Sequence, residues 1–213
     1  MKTLITIPCM DMVPAQFSHS LASLQRVGDT AVAFQIGSLI YTSRNQLAER
    51  SIRMGSDFTL WFDSDMVFGP DTVERLHATM KETGADIVSG LYYRRNPPFS
   101  PVVVKELRVN EEQGLTEMVE FEEIPSEPFE ADGVGFGCVL MPTDIFIDIQ
   151  QKYHDLFTPV NRMGEDLSFC WRAKSMGFKI VVDPRIKLGH VGHSIIDESF
   201  HKAYKVAESR KEQ

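Results

Sequence analysis

A chain of 213 residues, 43% hydrophobic and 24% charged, can bury one substantial core, or at most two small ones, which excludes the disordered and fibrous classes. Its 22 basic and 30 acidic side chains leave a net charge of −8, which argues against a general polyanion-binding surface but leaves room for a local basic patch. No apolar run approaches the ~20 residues of a membrane helix, and the opening MKTLITIPCMD is too short an apolar stretch for a signal peptide.

Strand and helix signals alternate through the first half. Residues 3–7 read as an apolar strand, and 14–27 as a helix with Phe17, Leu21 and Leu24 at helical spacing. A second strand is expected over 31–36. Ser43 is placed to cap a helix over 43–54, with Leu47, Ile52 and Met54 turned inward. Residues 58–62 are almost continuously apolar, as in a central strand covered on both faces. A helix then enters through Pro70, with Asp71 and Glu74 in its first turn and Gly84 at its end. A strand over 86–91 follows. This order predicts an α/β fold with a mostly parallel sheet and helices on both faces.

The second half changes character. Strands over 101–105, 116–121 and 135–141 come without intervening helices, so an antiparallel or mixed addition is expected, giving a mixed, mostly parallel central sheet with a small antiparallel part. The acidic, turn-rich stretch 108–130 reads as a solvated hairpin and loop. Helices over 143–153 and 166–176, a strand over 179–182 and a surface helix from Asp197 complete one domain without repeat or linker. Three cysteines, Cys9, Cys138 and Cys170, are odd in number and form no Cys-x-x-Cys pair. They argue against a disulfide framework or zinc site, and for a reducing, cytoplasmic setting.

Five stretches carry side chains able to do chemistry. In FTLWFDSDMVF, Asp63 and Asp65 end an apolar strand, the place where open α/β sheets put their ligand crevices. Two carboxylates there can hold Mg²⁺ or Mn²⁺, although an Asp-x-Asp alone is a weak signal. In MGEDLSFCWRAKSMGF, Glu165 and Asp166 open a helix, either as capping acids or as a general base fixed at a helix end. In KLGHVGH, His190 can serve as a neutral nitrogen ligand, and the spacing to His193 has no cysteine to complete a zinc site. In TSRNQLAER, Arg44 is either a surface cation or a phosphate contact at a helix start. In ADGVGFGCVLM, closely spaced glycines permit a tight approach to a ligand or to another backbone, without a phosphate-loop Gly-Lys-Ser/Thr.

In this order, LITIPCMD, SRNQLAERSIRMGSDFTLWFDSDMVFGPDTVERL, IVSGLYYRRNPPFSPVV, DGVGFGCVLMP and GEDLSFCWRAKSMGFKIVVDPRIKLGH resemble the glycosyltransferase family 2-like group with the GT-A fold, in its minimal phage or bacterial form. The resemblance implies a nucleotide-binding half at 1–95, an acceptor and metal half at 96–195 and a tail at 196–213. It implies that Asp65 binds Mn²⁺ or Mg²⁺ on the diphosphate of a nucleoside-diphosphate sugar. Asp63 would contact the ribose, or the metal through water, and His190 the metal or diphosphate. Pro8 would border the base with Arg44 nearby, and Gly135 in the 133–137 segment would line the donor sugar and acceptor. Asp166 would be the base of an inverting transfer, with Glu165 on sugar or acceptor. Retaining enzymes share the fold, so inversion is an expectation.

The acceptor stays open among a glycan, a protein, a lipid-linked glycan and a modified DNA base, as does the oligomeric state. YYRRNPPF offers arginines and aromatics for an exposed base, or simply a loop over the cleft. Two competing classes are a catalytically silent nucleotide-sugar-binding module and a nucleotidyltransferase. Against the latter, PCMDMVPAQ is not a glycine- and basic-rich loop.

Overall fold

The apolar residues Phe58–Phe62 form β3 and lie near the middle of a seven-stranded sheet. In the computed structural model, residues 1–210 are described except Ser38, Glu111, His193 and Ser194. His193 thus lies outside the described residues. The preceding elements are β1 (Lys2–Cys9), α1 (Ala15–Ser23), β2 (Asp29–Ile36) and α2 (Ile40–Arg53). After β3 come β4 (Met66–Val67), α3 (Thr72–Thr83), β5 (Ile87–Leu91), β6 (Val103–Val104), β7 (Glu106–Asn110) and β8 (Leu115–Val119). There follow β9 (Phe129–Glu130), β10 (Gly133–Val134), β11 (Cys138–Pro142), α4 (Asp144–Tyr153) and α5 (Glu165–Lys174). The chain ends with β12 (Ile180–Lys187), β13 (Gly189–Val191), β14 (Ile195–Ile196) and α6 (Glu198–Ser209). Among the described residues, no helix is long and apolar enough to cross a membrane.

The large sheet runs β2-β1-β3-β11-β5-β12-β9. β1 is parallel to β2 and β3, and β12 is parallel to β5. β11 enters between β3 and β5, antiparallel to both. The central sheet is thus mixed but mostly parallel, as expected. Cys138, Val139, Leu140 and Met141 are fully buried, so the segment had to be covered on both faces. Long-range insertion supplies that cover. Short antiparallel pairs, β7 with β8 and β6 with β10, form the separate smaller sheets in the expected region.

Alternation along β3 splits the core into two layers. Trp61 joins Phe136, Phe146, Phe157 and Phe169 beneath α2, α4 and α5, while Leu60 and Phe62 join Phe17, Val73 and Leu76 of α1 and α3. Three local expectations shift. α2 starts three residues early, so Ser43 is a buried helical residue whose N–H bonds Leu39 O, and not a cap. α1 ends at Ser23, where Leu24 turns extended and Gln25 N bonds Pro70 O. β12 continues past 182 to Lys187, with an irregular register beyond Asp183.

Candidate functional site

The strand ends of β1, β2 and β3 open into one cleft of about 320 Å³, whose lining includes Pro8, Asp63, Asp65, Glu165, Asp166 and His190. Asp63 and Asp65 follow β3 in a turn, with Asp63 N bonded to Gly137 O and Met66 N to Asp63 O. Leaving the strand frees them from the two-residue alternation that would have put them on one face. Each finds a different cation.

Asp63 belongs to Arg44. This guanidinium is 2% exposed and lies over the rings of Trp61 and Phe136, with centroid distances of 5.7 and 5.3 Å. Its Nη2 donates to Asp63 Oδ1 at 2.9 Å, and its Nε donates to Glu165 Oε1 at 3.5 Å. Asp166 Oδ1 is also 3.1 Å from Nε, close enough to pair but off the N–H direction. Burial opposes the charge on Arg44, yet Asp166, Asp63 and Glu165 overcome that cost and hold its pKa above the ordinary value. Arg44 is therefore neither a surface cation nor free to grip a phosphate alone: it is the internal counter-ion of three carboxylates.

Asp166 sits at the start of α5, its Oδ2 accepting from Phe136 N at 3.2 Å. Burial pushes its carboxyl up to about 7; Arg44 opposes the shift, and Glu165 and Asp63 add to it. Its side chain remains 25% exposed toward the cleft. Such a group switches between acid and base near neutrality, as proton-transfer chemistry requires.

Asp65 belongs to His190. β13 pairs antiparallel with β4, placing His190 opposite Met66, and Val191 N bonds Asp65 O at 2.7 Å. His190 Nε2 lies 3.4 Å from Asp65 Oδ2, while Nδ1 is 2.9 Å from Tyr93 O. A carbonyl can only accept, so Nδ1 carries a proton, and Nε2 faces Asp65, donating to the carboxylate when the ring is protonated and offering a lone pair to a cation when it is neutral. Arg95 Nη1 reaches the same Asp65 oxygen at 2.9 Å. Burial works against ionising Asp65, but the bond to His190 and the charges of His190 and Arg95 keep its carboxyl below the usual range.

One carboxylate and one imidazole suit a divalent ion that takes its remaining ligands from a phosphate substrate and water. The donor set fits that group as a pair. Asp63 is engaged elsewhere, and among the described residues no three His, Cys, Asp or Glu side chains are grouped to hold an ion unaided.

Gly135 lies outside this cleft. It lines a separate depression of about 100 Å³ that shares Asp166 with the cleft. A Cβ at Gly135 would overlap the Tyr92 hydroxyl and fall 2.7 Å from Val102 Cγ1; one at Gly137 would fall 2.7 Å from Tyr92 Cζ. The close approach that these glycines permit is thus to Tyr92, a residue whose packing role no local pattern in the sequence signals. Its hydroxyl accepts from Gly137 N at 3.2 Å, and burial, with Asp63 and Asp166, raises its pKa so that it stays a neutral phenol. Gly135→Ala should cost about 1–3 kcal/mol by overpacking. Thermal unfolding checks this, and adding Tyr92→Phe should recover part of the loss; equal stability of G135A and wild type would refute the packing account.

Neither a protein-family model nor a curated protein matches the chain. Solved structures do. A197 from STIV matches over 90% of this chain and 86% of its own, at 19% identity and a TM-score of 0.64. GalNAc-T7, solved with UDP, GalNAc and Mn²⁺, matches over 90% of this chain and 44% of its own, at 10% identity and TM-score 0.60. S. aureus TarS, in complex with UDP-GlcNAc, matches over 85% of this chain and 56% of its own, at 14% identity and TM-score 0.53. The chain spans less than two thirds of the latter two. This chain therefore has a GT-A-like fold, as the ordered motifs led one to expect.

Proposed function

We propose that this protein is a divalent-metal-dependent glycosyltransferase that moves a sugar from a nucleoside-diphosphate donor to an acceptor hydroxyl with inversion. The observation that carries the reading is that one cleft brings together the Asp65–His190 pair and the Asp166 carboxyl, which burial pushes up to about 7. Asp65 and His190 would hold Mn²⁺ or Mg²⁺, whose bound charge stabilises the departing diphosphate. Asp166, anchored by Phe136 N, takes the acceptor's hydroxyl proton. The acceptor oxygen bonds to the anomeric carbon as the bond to the diphosphate oxygen breaks. Arg44 keeps Asp63, Glu165 and Asp166 in place, leaving Asp63 near the ribose and Glu165 near sugar or acceptor. Pro8 and the 1–95 half take the nucleotide; the 96–195 half brings base, histidine and acceptor side.

The test is a panel of UDP- and GDP-sugars with Mn²⁺, read by thermal stabilisation and donor hydrolysis. At 100 times its Kd a bound donor adds about 2.7 kcal/mol, and Asp65→Ala should lose that Mn²⁺-dependent gain while folding normally. No stabilisation and no hydrolysis by any donor would overturn the reading. Binding without turnover favours a silent module, and consumption of a nucleoside triphosphate a nucleotidyltransferase.

A further inference from the structure

Asp65 meets two side chains, His190 and Arg95, at one oxygen, and they are not equivalent. His190 is fixed by its bond to Tyr93 O and by the β4–β13 pairing. Arg95 is 50% exposed, with its aliphatic stem against Gly192, where a Cβ would lie 3.5 Å from Arg95 Cδ. Its loop is clasped from outside by α6: His201 Nδ1 lies 2.9 Å from Phe99 O, and Phe200 and Tyr204 pack edge-on against the Phe99 ring. The backbone is thereby held, while the half-exposed Arg95 side chain stands at the mouth of the cleft that it lines.

We propose that Arg95 is a displaceable counter-ion: it neutralises Asp65 in the empty cleft and transfers to the donor's diphosphate when a divalent cation enters between Asp65 and His190. The inference rests on the function proposed above. A guanidinium and a divalent ion on one carboxylate oxygen repel each other, so Arg95 must leave for the ion to bind. With Arg95 absent, the Nε2 lone pair of a neutral His190 would face an ionised carboxylate, an arrangement that favours a cation between them. The diphosphate that arrives with the ion offers Arg95 a new anion in the fork geometry guanidinium prefers. Metal and diphosphate consequently promote each other's binding, a coupling that must be reciprocal. The exposed arginine among aromatics in YYRRNPPF then serves the donor and not an acceptor base.

Mn²⁺ alone, Mn²⁺ with inorganic pyrophosphate and Mn²⁺ with UDP can each be titrated by electron paramagnetic resonance against wild type, Arg95→Ala, Arg95→Lys and Asp65→Ala. Arg95→Ala should bind Mn²⁺ alone about tenfold tighter, because a repelling charge is gone. It should bind Mn²⁺–pyrophosphate roughly 10- to 100-fold weaker, because a charge-assisted contact is gone. Arg95→Lys should fall between, and Asp65→Ala should lose Mn²⁺ in every state. If wild type binds Mn²⁺–pyrophosphate but Arg95→Ala shows unchanged or weaker binding of Mn²⁺ alone, the Arg95 role is refuted and the proposed function stands. If wild type binds Mn²⁺ with neither pyrophosphate nor UDP, both fall together.

Discussion

Replacing Arg44 by methionine destabilises the protein by about 3–5 kcal/mol at neutral pH, the range found when one partner of a buried ion pair is removed. Methionine fills much of the same space over Trp61 and Phe136, so the loss is mainly electrostatic. Asp63, Glu165 and Asp166 are left without their shared cation. The sign of the pH dependence follows. In the variant, crowding raises the carboxyl pKa values in the folded state above their unfolded values, so the folded form binds extra protons as the pH falls. The deficit against wild type should therefore shrink on acidification from pH 7 toward 4. Arg44→Lys keeps the charge but loses the planar fork, and should lie between. Urea unfolding of the three proteins across this range measures the effect. Equal midpoints for wild type and Arg44→Met would refute the counter-ion account.

Asp166→Asn should lower kcat by 10²- to 10⁴-fold while leaving Mn²⁺-dependent donor binding largely intact. The amide occupies the same place beside Phe136 N, yet cannot take a proton. Burial pushes the Asp166 carboxyl up to about 7 in the free protein. kcat/KM of the wild type should then rise through that pH and fall about tenfold per unit below it, as the carboxyl becomes protonated. The variant should lose this limb. A full-activity Asp166→Asn, or a profile flat between pH 5 and 8, would remove Asp166 from the base role and leave the nucleotide site untouched.

How far these residues could be read in advance depends on how local their cause is. β3 was legible to the residue because an almost unbroken apolar run, preceded by Gly55 and ended by two acids, has few other solutions. The end of α3 was legible too, since Gly84 adopts φ 64°, a conformation that suits glycine. Ser43 misled because α2 begins three residues before it, at Ile40, and Ser43 lies buried inside the helix with its N–H already bonded to Leu39 O. Gly135 suggested a ligand and met Tyr92, forty-three positions back in the chain. β11 was seen as a strand, but its place between β3 and β5 is a pairing choice that no window of sequence contains.

The opening feature of the site divides along the same line. Apolar patterning alone puts Asp63 and Asp65 at the end of a central strand, and helix-entry signals put Glu165 and Asp166 at the head of α5. Those are consequences of periodicity and turn chemistry within a few residues. Their division of labour is not. Arg44 meets Glu165 across 121 positions, Asp65 meets His190 because β13 folds back on β4, and Arg95 arrives on a loop clasped by the terminal helix. Charge partners are selected by proximity in space, which depends on the whole chain packing, so the same two aspartates acquire different cations and different work.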